Sequence, residues 1–249
     1  MKPTGAKKMI ALIVDDEKEM RDAMTYDFRR KGVEVLVAAD GEEAFAIIQA
    51  RPVDVVISDV RMPKRDGIEL LGDIRRMKGA QPLVMFMSGY ADIPLWEAYE
   101  RGADAFFGKP FDASKVIEQA MRLSSPVQQR WSVDPGAAVA KFDLVIGSYD
   151  ESPQFGLGRG GLFLNAVHRG VRRGDVVAFD LKFGDGSKAL VGKGLVRWHR
   201  SVPEDGLSAG YGIEVLFLEP AGREHFVELE QEAMATPFIP KGPKSPSKS

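Results

Sequence analysis

The sequence predicts an α/β doubly wound five-stranded parallel sheet followed by a small antiparallel β-barrel with a C-terminal helix. Three observations predict it. Apolar runs and segments of helical periodicity alternate five times up to about residue 123. The texture then breaks over residues 125–135, and beyond that point apolar and polar residues alternate with period two.

The five runs are Met9–Val14, Val33–Val37, Val53–Ser58, Pro82–Met87 and Ala103–Phe107. They are nearly continuous in apolar residues, as strands covered on both faces are. Between them apolar positions recur at three and four: Met20, Met24 and Phe28; Ala44 and Ile48; Leu70, Leu71 and Ile74; Leu95, Ala98 and Tyr99. A last set, Val116, Ile117, Ala120 and Met121, closes the series. Such alternation implies βαβ units and a parallel sheet in a first domain over residues 7–124.

Ser-Ser-Pro and Asp-Pro-Gly within residues 124–136 break both periodicities, so 125–135 reads as a linker. In the second domain, residues 136–236, Phe142, Leu144 and Ile146 alternate with polar neighbours, as do Val177 to Phe183 and Tyr211 to Phe217. Gly184-Asp185-Gly186 suits a hairpin turn. Residues 221–235, with Phe226, Leu229 and Ala233, form one terminal helix. The Pro-, Lys- and Ser-rich stretch 237–249 is expected to be a disordered tail.

Composition sets the outer bounds. The 249 residues carry a formal net charge of -2, which recruits neither nucleic acid nor anionic membrane. Cysteine is absent, which excludes disulfides and thiolate chemistry and suits the cytoplasm. The apolar run after the basic start ends in Asp15-Asp16-Glu17, unlike a signal peptide, and no stretch reaches the roughly 20 apolar residues of a membrane span. A soluble protein with no membrane insertion is expected.

The chemistry sits at strand ends. Asp15 and Asp16 follow the first run, Asp59 the third, Ser88 the fourth and Lys109 the fifth. In an open α/β sheet, ligands bind beyond the carboxyl ends of the strands, so these side chains can converge. Crowded carboxylates repel one another unless a hard divalent cation such as Mg²⁺ is present. Lys109 and the Ser88 hydroxyl could then hold phosphoryl oxygens while the Asp59 carboxylate acts as nucleophile. Taken singly, each residue has a plainer reading as a helix cap or a loop polar group; their joint order does not.

That order, Asp15-Asp16, Asp59-Val-Arg-Met-Pro63 with Asp66-Gly67, Ser88-Gly89, Gly102-Ala-Asp-Ala105 and Lys109-Pro110, resembles the receiver domain of two-component response regulators, a flavodoxin-like fold. The resemblance implies that Asp59 accepts a phosphoryl group from a histidine kinase. It implies Mg²⁺ on Asp15, Asp16, Asp59 and the backbone carbonyl of Arg61. Lys109 would contact the phosphoryl group, with its bond to Pro110 cis. Ser88 and Phe106 would be the switch pair, Phe106 standing where Tyr is commoner; a packed strand residue is its plainer reading. Tyr90 could shield the acyl phosphate from water. The region Ile93–Leu123 offers a possible homodimer surface.

The second half shows no helix-turn-helix pattern, so no DNA contact is expected. Gly156-Leu-Gly-Arg-Gly-Gly161 lacks the Gly-Lys-Ser/Thr ending of a P-loop. Together with Val171-Arg-Arg-Gly-Asp-Val-Val177, Gly194-Leu-Val-Arg-Trp198 and Gly210-Tyr-Gly-Ile-Glu-Val-Leu-Phe217, it resembles a PilZ domain, a small barrel known for binding cyclic diguanylate. The usual ligand motifs of that family are degraded here. Arg130 stands alone upstream, and Arg159 and Gly161 occupy a turn without its Asp/Asn and Ser, so cyclic diguanylate is not expected in the usual way. Arg169, Arg172, Arg173, Arg197 and Arg200 read as a solvated basic surface, with Trp131 and Trp198 open to stacking. His168, His199 and His225 lack metal-ligand spacing.

The expected function is therefore a phosphoacceptor signalling protein, not an enzyme, relaying to a downstream protein partner. The alternatives are a phosphorylation-gated cyclic diguanylate sensor and, less favoured, a phosphatase with an Asp nucleophile. The latter class expects Asp-x-Asp after its first strand, and here the pair is adjacent.

Overall fold

The computed structural model describes residues 8–89, 92–147, 154–166, 168–184, 186, 188–204, 206–224, 226 and 237–242. By packing, the chain divides into two compact units: residues 1–94 with 101–124, and residues 95–100 with 125–249.

The first unit is a five-stranded parallel sheet. In chain order its strands are β1 (Ile10–Val14), β2 (Glu34–Ala38), β3 (Val55–Ser58), β4 (Leu83–Ser88) and β5 (Ala105–Gly108). They lie side by side as β2-β1-β3-β4-β5. Its helices are α1 (Lys18–Arg30), α2 (Gly41–Ala50), α3 (Gly67–Arg76) and α5 (Ala113–Leu123). α1 packs beside α5, and α2 beside α3. The core on the α1 and α5 side joins Ile13, Ile57, Met85 and Met87 of the sheet to Met24, Phe28, Val116, Ile117 and Ala120 of the helices. β1 and β3 are almost wholly buried, which is why their sequences lack alternation.

Side chains at the helix starts fix where the elements begin. Asp66 and Glu69 form a reciprocal capping box at α3. Asp40 caps α2, accepting from the backbone N–H groups of Glu42 and Glu43 at 3.0 and 2.9 Å. Asp104, wholly buried, accepts from Arg75 Nη2 at 2.7 Å and from the Val84 backbone N–H at 2.8 Å, which ties β4 to α3. The Gly102-Ala-Asp104-Ala105 motif is thus partly a structural clamp.

The second unit centres on a six-stranded sheet in the order β6-β9-β10-β11-β8-β7. These strands are β6 (Ala140–Ile146), β7 (Phe155–Leu157), β8 (Gly161–Leu164), β9 (Val176–Phe183), β10 (Leu190–Arg200) and β11 (Gly210–Leu218). It differs from the expected antiparallel barrel in two respects. β6 pairs with β9 in parallel, and the curled sheet ends at two edge strands, β6 and β7. Period-two alternation marks a half-buried strand of either direction, so the sequence pattern could not separate the two pairings. The hairpin expected at 184–186 does join antiparallel β9 and β10, with Gly186 at φ +86°; Asp185 lies outside the described residues.

Two further differences concern the flanks. The stretch expected as a linker holds a short helix, α6 (Val127–Arg130), and supplies Trp131 to the core. Trp131 is 1% exposed, packs edge-on against Phe226 at 4.6 Å, and its carbonyl accepts from the Leu218 N–H. Residues 220–224 and 226 are helical where a terminal helix was expected; the positions of Leu229 and Ala233 lie outside the described residues.

The tail expected to be disordered is ordered in its described part, residues 237–242. Phe238 and Ile239 are buried because the glycines of the Gly158–Gly161 turn leave room for them. A Cβ on Gly160 would fall 2.0 Å from the Phe238 ring, and one on Gly158 would fall 2.3 Å from the Pro237 carbonyl. Backbone N–H groups of Arg159 and Gly160 donate to the carbonyls of Pro237 and Phe238. Composition predicted disorder; two apolar side chains and two hydrogen bonds override it. The same unit includes the short helix α4 (Leu95–Glu100), whose Tyr99 stacks on Phe238 at 6.3 Å.

Candidate functional site

Asp15, Asp16 and Asp59 meet at one rim of the parallel sheet, with ligand-capable oxygens all within 4.8 Å of one another. Each stands directly after, or one residue beyond, a strand that ends at this rim. Asp15 is fully buried and Asp59 nearly so, while Asp16 faces solvent. Lys109, just past β5, reaches in with its Nζ 2.8 Å from Asp59 Oδ2 and 3.3 Å from Asp15 Oδ2. Of the five strand-end side chains expected to converge, Asp15, Asp16, Asp59 and Lys109 meet here, while the Ser88 hydroxyl is bonded to Asp92.

The surroundings hold these groups in place. The Val60 N–H donates to Asp59 Oδ1 at 2.6 Å, and the Ser58 hydroxyl donates to the Asp59 carbonyl at 2.7 Å. The Glu17 N–H donates to Asp15 Oδ1. Arg21 donates to the carbonyls of Asp15 and Asp16 at 2.6 and 3.0 Å, pinning the acidic turn from α1. The Lys109–Pro110 peptide is cis, as the motif implied.

Electrostatically the site is tense. Burial pushes the Asp15 carboxyl above the usual carboxylate range; a backbone hydrogen bond and Lys109 pull it back, and Asp59 adds repulsion. Burial also works against the Lys109 ammonium, but the hydrogen bond to Asp59 and the charges of Asp15 and Asp59 outweigh it and raise its pKa. Asp15 and Asp59 share one lysine while Asp16 stands beside them, an acceptor-only oxygen set that suits a hard divalent cation.

Gly67 is set by close approach. A Cβ there would lie 2.2 Å from the Asp59 carbonyl and 3.1 Å from the Phe86 ring. We expect Gly67→Ala to displace the Asp59 backbone and to cost about 1–3 kcal/mol in a denaturant titration. An unchanged midpoint would show that the loop relaxes freely.

Ser88 and Phe106 sit where the motif places them, at β4 and β5, and both are buried. The Ser88 hydroxyl donates to Asp92 Oδ2 at 2.6 Å, and Arg61 Nε lies 3.3 Å from Asp92 Oδ1. These contacts hold the Asp92 carboxyl below its usual range: the Ser88 hydrogen bond acts most strongly, burial opposes it, and Arg61 adds to the lowering. Asp92 was not singled out in the sequence; its spacing of four residues from Ser88 was the available signal. The Arg61 side chain thus belongs to Asp92, and the carboxylate cluster is formed without it. Tyr90 lies outside the described residues.

In the second unit the basic residues are not all solvated. Arg197 pairs with the buried Glu214, and Arg200 is 5% exposed. Trp131 and Trp198 are buried and not open to stacking on a ligand at the surface. Arg130 Nε donates to the Ser125 carbonyl, and Gly161 is packed beneath Ile239. Arg159 sits on the turn whose backbone is engaged by residues 237–238. His168 and His199 pack on aromatic rings.

Comparison with known proteins bears on the first unit. Residues 11–121 match the family model described as the response regulator receiver domain. Among solved structures, the receiver domain of NtrX from Brucella abortus is 33% identical, over 45% of this chain and 95% of that one, with a TM-score of 0.42. TrrA from Thermotoga maritima, solved in complex with Mg²⁺ and BeF, is 28% identical over 46% and 98%, with a TM-score of 0.43. CheY4 of Vibrio cholerae, a chemotaxis response regulator, is 28% identical over 47% and 99%, with a TM-score of 0.42. No helix among the described residues is long and apolar enough to cross a membrane.

Proposed function

Because residues 11–121 belong to the response regulator receiver domain family, we propose that Asp59 is the phosphoacceptor of this chain and that a histidine kinase is its donor. One observation carries the reading: the carboxylates of Asp15, Asp16 and Asp59 lie within 4.8 Å of one another, with Lys109 bonded to Asp59. In the transfer, an Asp59 carboxylate oxygen attacks phosphorus. The P–N bond to the donor imidazole breaks, its electron pair stays on the ring nitrogen, and a mixed anhydride forms.

Asp15, Asp16, Asp59 and the Arg61 carbonyl would hold Mg²⁺, which when bound neutralises part of the charge on the transferring group. Lys109 then turns from the bare carboxylate toward a phosphoryl oxygen. Ser88 must release Asp92 to donate to another. We expect Asp92→Ala to free the hydroxyl and raise the extent of phosphorylation by acetyl phosphate several-fold, as read by Phos-tag gels; Ser88→Ala should not share that gain.

The second unit we read as a PilZ-like output acting through protein partners, the whole being cytoplasmic. The inclusion of α4 in that unit by packing supports a relay, since α4 follows the Ser88–Asp92 loop directly. The engaged glycine turn, with residues 237–239 against it, favours this over cyclic diguanylate sensing. Labelling by acetyl phosphate with Mg²⁺ tests the core of the proposal. One phosphoryl group per chain is expected, absent in Asp59→Asn and with chelator. Repeated turnover of a small phosphomonoester would favour the enzyme reading instead.

A further inference from the structure

The outer face of the second sheet holds one buried cation, Arg200, among aromatic rings. Arg200, at the end of β10, is 5% exposed and has no carboxylate within ion-pair range among the described residues. Its Nε donates to the Ser208 carbonyl at 2.7 Å and its Nη2 to the Lys241 carbonyl at 2.6 Å. Its guanidinium lies 5.5 Å from the Trp198 ring and 5.9 Å from the Phe163 ring, and those rings stack on each other at 5.8 Å. Glu204 and Glu100 act on it only at a distance, while burial works against its charge. A guanidinium cannot shed its proton to escape, so this charge is buried without an ion-pair partner among the described residues.

Its own Nη1 and two further buried polar atoms, Trp198 Nε1 and Ser208 Oγ, lack hydrogen-bond partners. Two of the three can only donate, and the third can. Each of these donors lacks an acceptor, and a phosphoryl oxyanion brings both the charge and several acceptor oxygens. Residues 238–242 close over this place. A Cβ on Gly242, at φ +89°, would fall 2.4 Å from the Phe163 ring. The closing segment carries one of the two carbonyls that hold Arg200.

We propose that Arg200, Trp198 and Ser208 form a binding site for a phosphate or phosphate monoester, covered by residues 238–242, which admit the ligand by lifting. The site is independent of Asp59 and does not rest on the phosphoacceptor reading.

The test uses the full chain in chelator, so that the carboxylate cluster holds no metal, titrated with inorganic phosphate at constant ionic strength. Calorimetry and the indole N–H resonances are read together. Saturable binding is expected, with the Trp198 N–H moving downfield while those of Trp96 and Trp131 stay. Arg200→Met should weaken binding about ten- to a hundredfold. Should that variant not fold, Ser208→Ala keeps the test alive, with roughly tenfold weaker binding expected. Glycerol phosphate run in parallel separates the two sources: binding no weaker than phosphate indicates a monoester, weaker binding the free ion. The proposal is overturned by no saturation at millimolar phosphate, by binding that Arg200→Met and Ser208→Ala leave unchanged, or by acetate binding as tightly as phosphate.

Discussion

Lys109→Ala should slow phosphoryl uptake from acetyl phosphate by about a hundredfold or more, the usual loss when one preorganised donor to a developing charge is removed. The reason lies in the geometry. Among the described residues, Lys109 Nζ is the one cation bonded to both Asp15 and Asp59, at 3.3 and 2.8 Å. Without it only the metal and the Ser88 hydroxyl would oppose the charge on the transferring group. The same change should destabilise the metal-free protein by about 3 kcal/mol, because it leaves buried carboxylates with no counter-charge. Mg²⁺ should restore most of that loss. Quench-flow labelling and urea titrations, each with and without Mg²⁺, read both effects; a variant labelled at the normal rate would remove Lys109 from the proposed chemistry.

Asp15→Asn should act in opposite senses with and without metal. Burial raises the folded-state pKa of Asp15, so at neutral pH its ionised form opposes folding. For a raised carboxylate the penalty is present above the folded pKa and disappears as pH falls below the unfolded value. The amide should therefore stabilise the metal-free protein at pH 7 by about 1 kcal/mol, and the gain should vanish in acid. The variant should also lose most of the stabilisation that Mg²⁺ gives the native chain, since binding to the folded state alone raises its stability. Thermal melts across pH and Mg²⁺ concentration check both signs. Loss of stability without metal would mean that the hydrogen bond from Glu17 outweighs the buried charge.

How much of this was legible beforehand depended on the range of the signal. The parallel sheet was legible because full burial erases alternation from β1 and β3, and the strand-end positions of Asp15, Asp16, Asp59 and Lys109 followed from it. The Asp92 contact was not, because a loop carboxylate four residues from a serine looks like any other. Trp198 and Arg200 were misread as accessible for a geometric reason. A register shift between Val196 and Trp198 reverses which residues face the core. His199 then stacks on the core Tyr211, while Trp198 and Arg200 join Phe163 outside it. No period-two pattern announces such a bulge. Phe238 and Ile239 were lost in a Pro- and Lys-rich stretch, since composition averages over the two residues that pack.

The most direct test of the central claim is paramagnetic. Mn²⁺ replaces Mg²⁺ in an oxygen cage and broadens the amide resonances near it, so a titration of the full chain locates the cation. The account predicts that broadening begins at residues 15–17, 59–61 and 109, and that Mg²⁺ in excess reverses it. Broadening centred elsewhere, or none at these residues, would contradict it.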